Sequence, residues 1–156
     1  MVDTARDPSL YGEVMALDQR AVCLFAGPLQ PSLARTAPYL AILEPEDAFL
    51  RRWRETGRGQ SWGVLFRSQA DLAEMRRQLR QRLEVVLPDG RRVLFRFYDP
   101  RVLRDYLPGC QGAELDFWFG QTSVYWVDGE RTGETLALRR SGDGVAVDSS
   151  LEAKAR

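Results

Sequence analysis

The chain has 156 residues, 22 Lys plus Arg against 22 Asp plus Glu, two cysteines and no histidine, the profile of one ordinary domain without net charge. A chain of this length buries about two thirds of the surface that its unfolded form exposes, so it needs neither a disulfide nor a metal to hold a core. Without histidine there is no Ser-His or Cys-His nucleophile pair, no H-E-x-x-H zinc helix and no imidazole base near neutral pH, which excludes most hydrolase chemistry.

Cys23 and Cys110 are isolated from each other and lack the paired thiols of a zinc or redox site, so both read as small hydrophobes in a reducing compartment. The longest uncharged stretch, residues 21 to 34, is broken by Gly27, Pro28 and Pro31, and the first residues hold no apolar run of a signal peptide. Cytoplasmic residence is the expectation. Of the 22 basic residues only Lys154 is a lysine; a GC-rich genome explains that bias, and so does a surface of planar guanidinium forks that grip carboxylates or phosphates.

Asp7-Pro8 reads as an N-cap followed by proline at the first helical position, and Leu10, Val14 and Leu17 carry a short helix to about residue 17. Residues 21 to 26 and 40 to 43 are compact apolar runs that suit buried strands, with one or two helical turns expected between Pro31 and Thr36. Pro45 announces a second helix with Glu46 and Asp47 in its positive first turn, Phe49, Leu50 and Trp53 on its buried face, and Gly57 and Gly59 as its stop. Trp62, Val64 and Phe66 then alternate as the inward face of a strand.

Ser68 with Asp71 resembles a capping box that opens a third helix with the stripe Leu72, Met75, Leu79 and Leu83. Strands are expected over residues 83 to 87 and 92 to 98, joined by the turn Pro88-Asp89-Gly90-Arg91. Asp99-Pro100 repeats the cap-plus-proline device and starts a helix that Pro108-Gly109 ends. Late strands are expected over 117 to 119, 123 to 127 and 134 to 139, and a frayed tail over 141 to 156. The prediction is therefore a single α/β domain over residues 1 to 140, with helices and strands alternating in its first half, an antiparallel strand-rich second half and a mixed, partly parallel sheet.

Few residues invite chemistry. Glu44, Glu46 and Asp47 crowd a helix start, where the macrodipole favours carboxylates unaided, and Gly57-Arg58-Gly59 lacks the spacing of a phosphate loop. Arg76, Arg77 and Arg80 cluster on one flank of the third helix at about 100° per residue, with Arg82 beyond them; they are either a solvated face or a docking site for an acidic peptide or nucleic acid. Overall neutrality argues against nucleic acid, since phosphate neutralisation normally demands a basic surplus. The segment Leu94-Phe95-Arg96-Phe97-Tyr98-Asp99-Pro100-Arg101 sets charged and aromatic groups around a strand-to-helix junction. There Asp99 caps the helix and pairs with an arginine; a small enzyme built on Asp99, Tyr98 and Arg101 is the competing reading.

The segment at this junction resembles the bacterial type VI secretion effector chaperones, also called adaptor proteins, a family first catalogued as a domain of unknown function. The resemblance starts at Val2-Asp3-Thr4-Ala5-Arg6-Asp7-Pro8, passes through Ala37-Pro38-Tyr39-Leu40 and Gly59-Gln60-Ser61-Trp62-Gly63, and is most specific from Pro88 to Leu103, with Phe119-Gly120 downstream. It covers residues 2 to about 127. It implies a non-catalytic protein that binds a toxic effector in the cytoplasm and helps load it onto the spike of the secretion apparatus, with no metal or organic cofactor and no nucleic acid. Members usually begin with a strand leading into a Leu-Asp-x-Ala motif, which is expected to be short or missing ahead of Val2, and many carry a further C-terminal lobe, expected to be absent after residue 140.

Partner contacts are therefore expected from Arg76, Arg77, Arg80, Arg96, Tyr98, Arg101 and Trp118, since Arg, Trp and Tyr supply binding hot spots. Trp118 alternates against Phe117 and Phe119, which on a strand leaves it outward as an anchor. Asp99, Pro100, Trp62, Gly63, Asp89 and Gly90 are expected to serve the architecture, with Trp62 buried. Exposed strand edges offer a second mode of capture, by backbone pairing with an extended effector segment.

Overall fold

The structure is a computed structural model and describes residues 1–151. Its elements follow in chain order as β1 (Val2–Asp3), α1 (Pro8–Met15), β2 (Ala21–Cys23), α2 (Pro31–Ala34), β3 (Pro38–Ala41), α3 (Ala48–Arg52), β4 (Leu65–Ser68), α4 (Leu72–Arg80), β5 (Glu84–Val86), β6 (Arg92–Leu94), α5 (Pro100–Tyr106), α6 (Ala113–Phe119), β7 (Thr122–Asp128), β8 (Glu134–Ser141) and β9 (Gly144–Leu151). The α/β class and the strand-rich second half agree with the sequence reading. Parallel pairing does not occur among the described residues: β1-β3-β2, β4-β7-β8-β9 and the β5-β6 hairpin are antiparallel throughout. Helix-strand alternation along the chain suggested crossovers, but these helices join strands that do not neighbour each other in parallel.

Local chemistry sets the helix starts. Asp7 accepts from the Ser9 amide at 2.8 Å and Asp99 from the Arg101 amide at 3.0 Å, each ahead of a proline at the first helical position. Asp71, not Ser68, caps α4, taking the Glu74 amide at 2.7 Å, while Ser68 Oγ accepts from Ala70 one turn earlier. The helix expected from Pro45 begins at Ala48, because Asp47 folds back to accept the Glu44 amide at 2.6 Å; it continues through a π-helical turn over Trp53–Gly57.

One short strand ties two of the sheets together. Val2 pairs with Tyr39 on β3 and also with Gly63, just ahead of β4, so β1 lies between them. Val2 and the residue just ahead of β1 enter different clusters. Met1 joins Leu40, Val64, Met75, Leu79, Phe97, Trp118 and Tyr125 on one side, and Val2 joins Leu10, Val14, Tyr39, Phe49, Trp53 and Trp62 on the other. Gly63 must be glycine there: its φ is +151°, and a Cβ would come within 2.1 Å of the Met1 carbonyl oxygen.

Residues 117 to 119 are helical, not a strand. Leu115, Trp118 and Phe119 are the buried side chains of α6, and their i, i+3, i+4 spacing overrides the two-residue alternation of the phenylalanines. Trp118 is consequently 1% exposed, packed against Phe97 and Phe117. The expected frayed tail is instead largely a strand: after a turn at Gly142, with φ +58°, β9 pairs with β8 from Ser141↔Gly144 to Glu134↔Leu151. An edge strand with one exposed side needs few apolar residues, so its small polar composition did not preclude pairing. Residues 152 to 156 of that expected tail lie outside the described residues. The expected strand over 92 to 98 stops at Leu94, after which a turn, with Asp99 N–H donating to Arg96 C=O, drops Phe97 fully into the core. No helix among the described residues is long and apolar enough to cross a membrane.

Candidate functional site

Five charged residues from distant parts of the chain meet beside the start of α5. Arg96 Nη2 donates to Asp3 Oδ2 at 2.7 Å, Arg6 Nη2 to Asp99 Oδ2 at 3.3 Å, and Arg101 reaches both Asp99 oxygens, at 3.0 and 2.6 Å. Arg6 Nε also donates to the Ser61 carbonyl at 3.3 Å. Both carboxylates are buried; burial pushes the Asp99 carboxyl up, and the Arg6 and Arg96 charges pull it back. The cluster fastens β1 and the turn at Ser61 to the cap of α5, with Asp99 serving as cap and counter-ion together. Asp3 and Arg6 have no periodic or capping signal that marks them for this role, since their partners lie across the fold.

Tyr98 does not present its ring to a partner. It is 3% exposed, packed against Phe97 with the Arg96 guanidinium 5.7 Å from its ring centroid, and burial raises its phenol pKa. The expectations of exposed contact at Tyr98 and at Trp118 are both corrected: each side chain is core. Arg96 and Arg101 remain half exposed but are committed to Asp3 and Asp99. Tyr98, Asp99 and Arg101 line neither of the two concavities described below.

Among the residues expected to serve the architecture, Trp62 lies ahead of β4, which begins at Leu65, and joins the cluster opposite to that of Val64 and Phe66, so the expected shared inward face of these three residues does not form. Trp62 is buried edge-on to Trp53, with the Arg52 guanidinium 4.8 Å from its ring centroid. Pro100 is the first residue of α5. Asp89 accepts from the Arg91 amide at 3.0 Å and Gly90 has φ +83° in the hairpin turn.

The arginines of α4 differ from the ion-paired arginines of the chain. Arg20 is paired with Asp47, Arg52 with Glu13 and Arg140 with Asp116, each at 2.7 Å. Arg76, Arg77 and Arg80 surround a shallow concavity of about 450 Å³ together with Ala73 and Gln81, and none of the three has a carboxylate partner among the described residues. Arg76 Nε donates to the Cys23 carbonyl at 2.8 Å, which turns it over the outer strand β2. Arg82 leaves the group and stacks on Phe117, 4.3 Å from the ring centroid. The helix buries Met75 and Leu79, so the same 3.6-residue period that seats the apolar stripe gathers the three guanidiniums beside it.

A larger concavity, of about 580 Å³, opens between β3 and β4. Trp53 lines it from one side of the sheet and Leu72 and Met75 from the other, and its charged lining mixes Arg54 and Arg67 with Asp71 and Asp128. Nothing in the sequence marked it, because it is bounded by segments about 25 residues apart that only strand register brings face to face. No group of three or more Cys, Asp or Glu side chains able to hold a metal occurs among the described residues.

A family model described as a domain of unknown function (DUF4123) matches residues 1–116. No curated protein and no solved structure matches.

Proposed function

The chain belongs to the DUF4123 family, and from that premise we propose that it is a non-catalytic adaptor that binds a secreted effector protein and assists its loading onto the spike of a bacterial type VI secretion apparatus. The reading rests on the residue resemblance between positions 2 and about 127 and on one structural observation: three guanidiniums of α4 stand together without acidic partners around a concavity. Three guanidiniums gathered on one helix flank without carboxylates of their own make a surface complementary to an acidic segment of another polypeptide. The buried carboxylates Asp3, Asp99 and Glu134 are each held by arginine and serve the fold in this reading.

Co-expression with effector and spike proteins encoded beside the gene tests it. A copurifying complex, weakened by salt, is the expected result. Failure to capture any neighbouring effector or spike protein overturns it.

A further inference from the structure

The solvent side of α4 is divided by charge. At about 100° per residue, Arg76, Arg80 and Arg77 follow one another round the flank toward β2, while Glu74 and the cap Asp71 fall on the flank toward α6. Both carboxylates are occupied there: Asp71 accepts from the Glu74 amide at 2.7 Å, and Glu74 Oε1 from Gln121 Nε2 at 2.6 Å. On the same side Gln78 donates to the Phe117 carbonyl and Arg82 stacks on the Phe117 ring. Glu84, beyond the helix end, pairs with Arg92. No ion pair joins Arg76, Arg77 or Arg80 to a carboxylate among the described residues, so the positive charge of the β2 flank is uncompensated.

Arg76 also decides which kind of backbone fits beside it. Ile42 N–H donates to Arg20 C=O and Leu24 N–H to Pro38 C=O, so alternate residues of β2 bond to β3 and Cys23 turns its carbonyl away from the sheet. That outward acceptor is taken by Arg76 Nε at 2.8 Å, which fixes the guanidinium and leaves its Nη1 and Nη2 without a partner among the described residues. An extended chain laid along β2 would find the acceptor spent, whereas a helix satisfies its own backbone and asks the surface for side chains alone.

The surface has the relief that a helix needs. Arg76 and Arg80 make one row of α4 and Ala73, Arg77 and Gln81 the next, each in steps of four residues, and these five residues line the concavity of about 450 Å³. A groove between two such rows is filled by one row of a second helix. Arg76 and Arg80 stand about 6 Å apart along the axis, four rises of about 1.5 Å, which is the spacing of two carboxylates four residues apart on that second helix. Resting on the adaptor reading for the partner's being a protein, we propose that the element docked on α4 is an α-helix with Asp or Glu four residues apart, one carboxylate on Arg76 and the next on Arg80, with Arg77 closing on them from the other row. Like charges at that spacing weaken such a helix in isolation, so docking strengthens it.

Two alanine-rich peptides of one composition, the first with glutamates four residues apart and the second with them two apart, test the assignment on the intact chain at low salt. The first should bind at least tenfold more tightly and gain helical circular dichroism on binding. Arg77→Gln and Arg80→Gln, at side chains with no hydrogen bond or ion pair among the described residues, should each erase that preference. Equal affinity of the two peptides overturns the proposal. So does binding without a gain in helicity, which assigns the flank to an extended segment, and tighter binding of a single-stranded oligonucleotide of the same net charge, which assigns it to nucleic acid. A copurified effector complex that the first peptide fails to displace removes the acidic helix and leaves the adaptor reading standing; preferential peptide binding with no effector captured does the reverse.

Discussion

Arg96 and Asp3 are 93 residues apart in the chain, yet Nη2 of one donates to Oδ2 of the other at 2.7 Å. The Asp3 side chain is 1% exposed and that of Arg96 is 43% exposed, so the pair joins a buried anion to a guanidinium that still touches water. Removing the arginine leaves the anion with Arg6 at 3.9 Å and the Ala5 amide at 3.2 Å. Arg96→Met is expected to lower stability by about 2 kcal/mol, the scale of a charged hydrogen bond lost with its partner still buried. Urea unfolding of this variant, of Asp3→Asn and of the double variant measures the coupling; purely additive losses would refute it.

Asp99 combines a cap with an ion pair, and the two separate on substitution. Asparagine caps a helix about as well as aspartate does, whereas alanine does not, so Asp99→Ala should be less stable than Asp99→Asn by about 1 kcal/mol. Denaturant midpoints of the two variants decide this. Equal losses would show that the charge alone matters.

Trp118 lies in the core beside Phe97. Trp118→Ala is expected to cost about 3–5 kcal/mol through the cavity it leaves, with partner capture falling only as the folded fraction falls. Normal thermal stability with lost capture would return Trp118 to the surface.

On α4 the opposite pattern is expected. Arg77→Gln with Arg80→Gln should lower stability by no more than about 1 kcal/mol, the loss of two cations from the last turn of the helix where neither holds a carboxylate, while weakening partner binding at least tenfold. Titration calorimetry on the copurified complex, at two salt concentrations, reads the effect. Unchanged affinity removes α4 from the interface.

Glu134 sits at the start of β8, where Arg131 Nη2 at 2.7 Å and Ser149 Oγ at 2.6 Å hold its carboxyl down from the ordinary 4.5 to about 2. A depressed carboxylate favours the fold above its unfolded value, and that contribution drains away as pH falls from 4.5 toward about 2. The wild-type unfolding midpoint should therefore drop across that window more than the midpoint of Glu134→Gln. Parallel acid profiles would contradict it.

Caps and turns were readable from the residues because their donors and acceptors lie within about four positions of each other. Asp7, Asp99 and Gly90 need no distant partner to be recognised, and the period of Leu72, Met75 and Leu79 settles the face that α4 buries and, with it, the flank that carries Arg76, Arg77 and Arg80. Trp118 was misplaced because a short aromatic run fits either period, and only packing against Phe97 and Tyr125 chooses the helix. Asp3 with Arg96, the pairing of β9 with β8 and the gap between β3 and β4 depend on register between segments far apart in the chain. Backbone hydrogen bonds carry no residue code, so the strand neighbours that make those sites became visible only once the chain had folded.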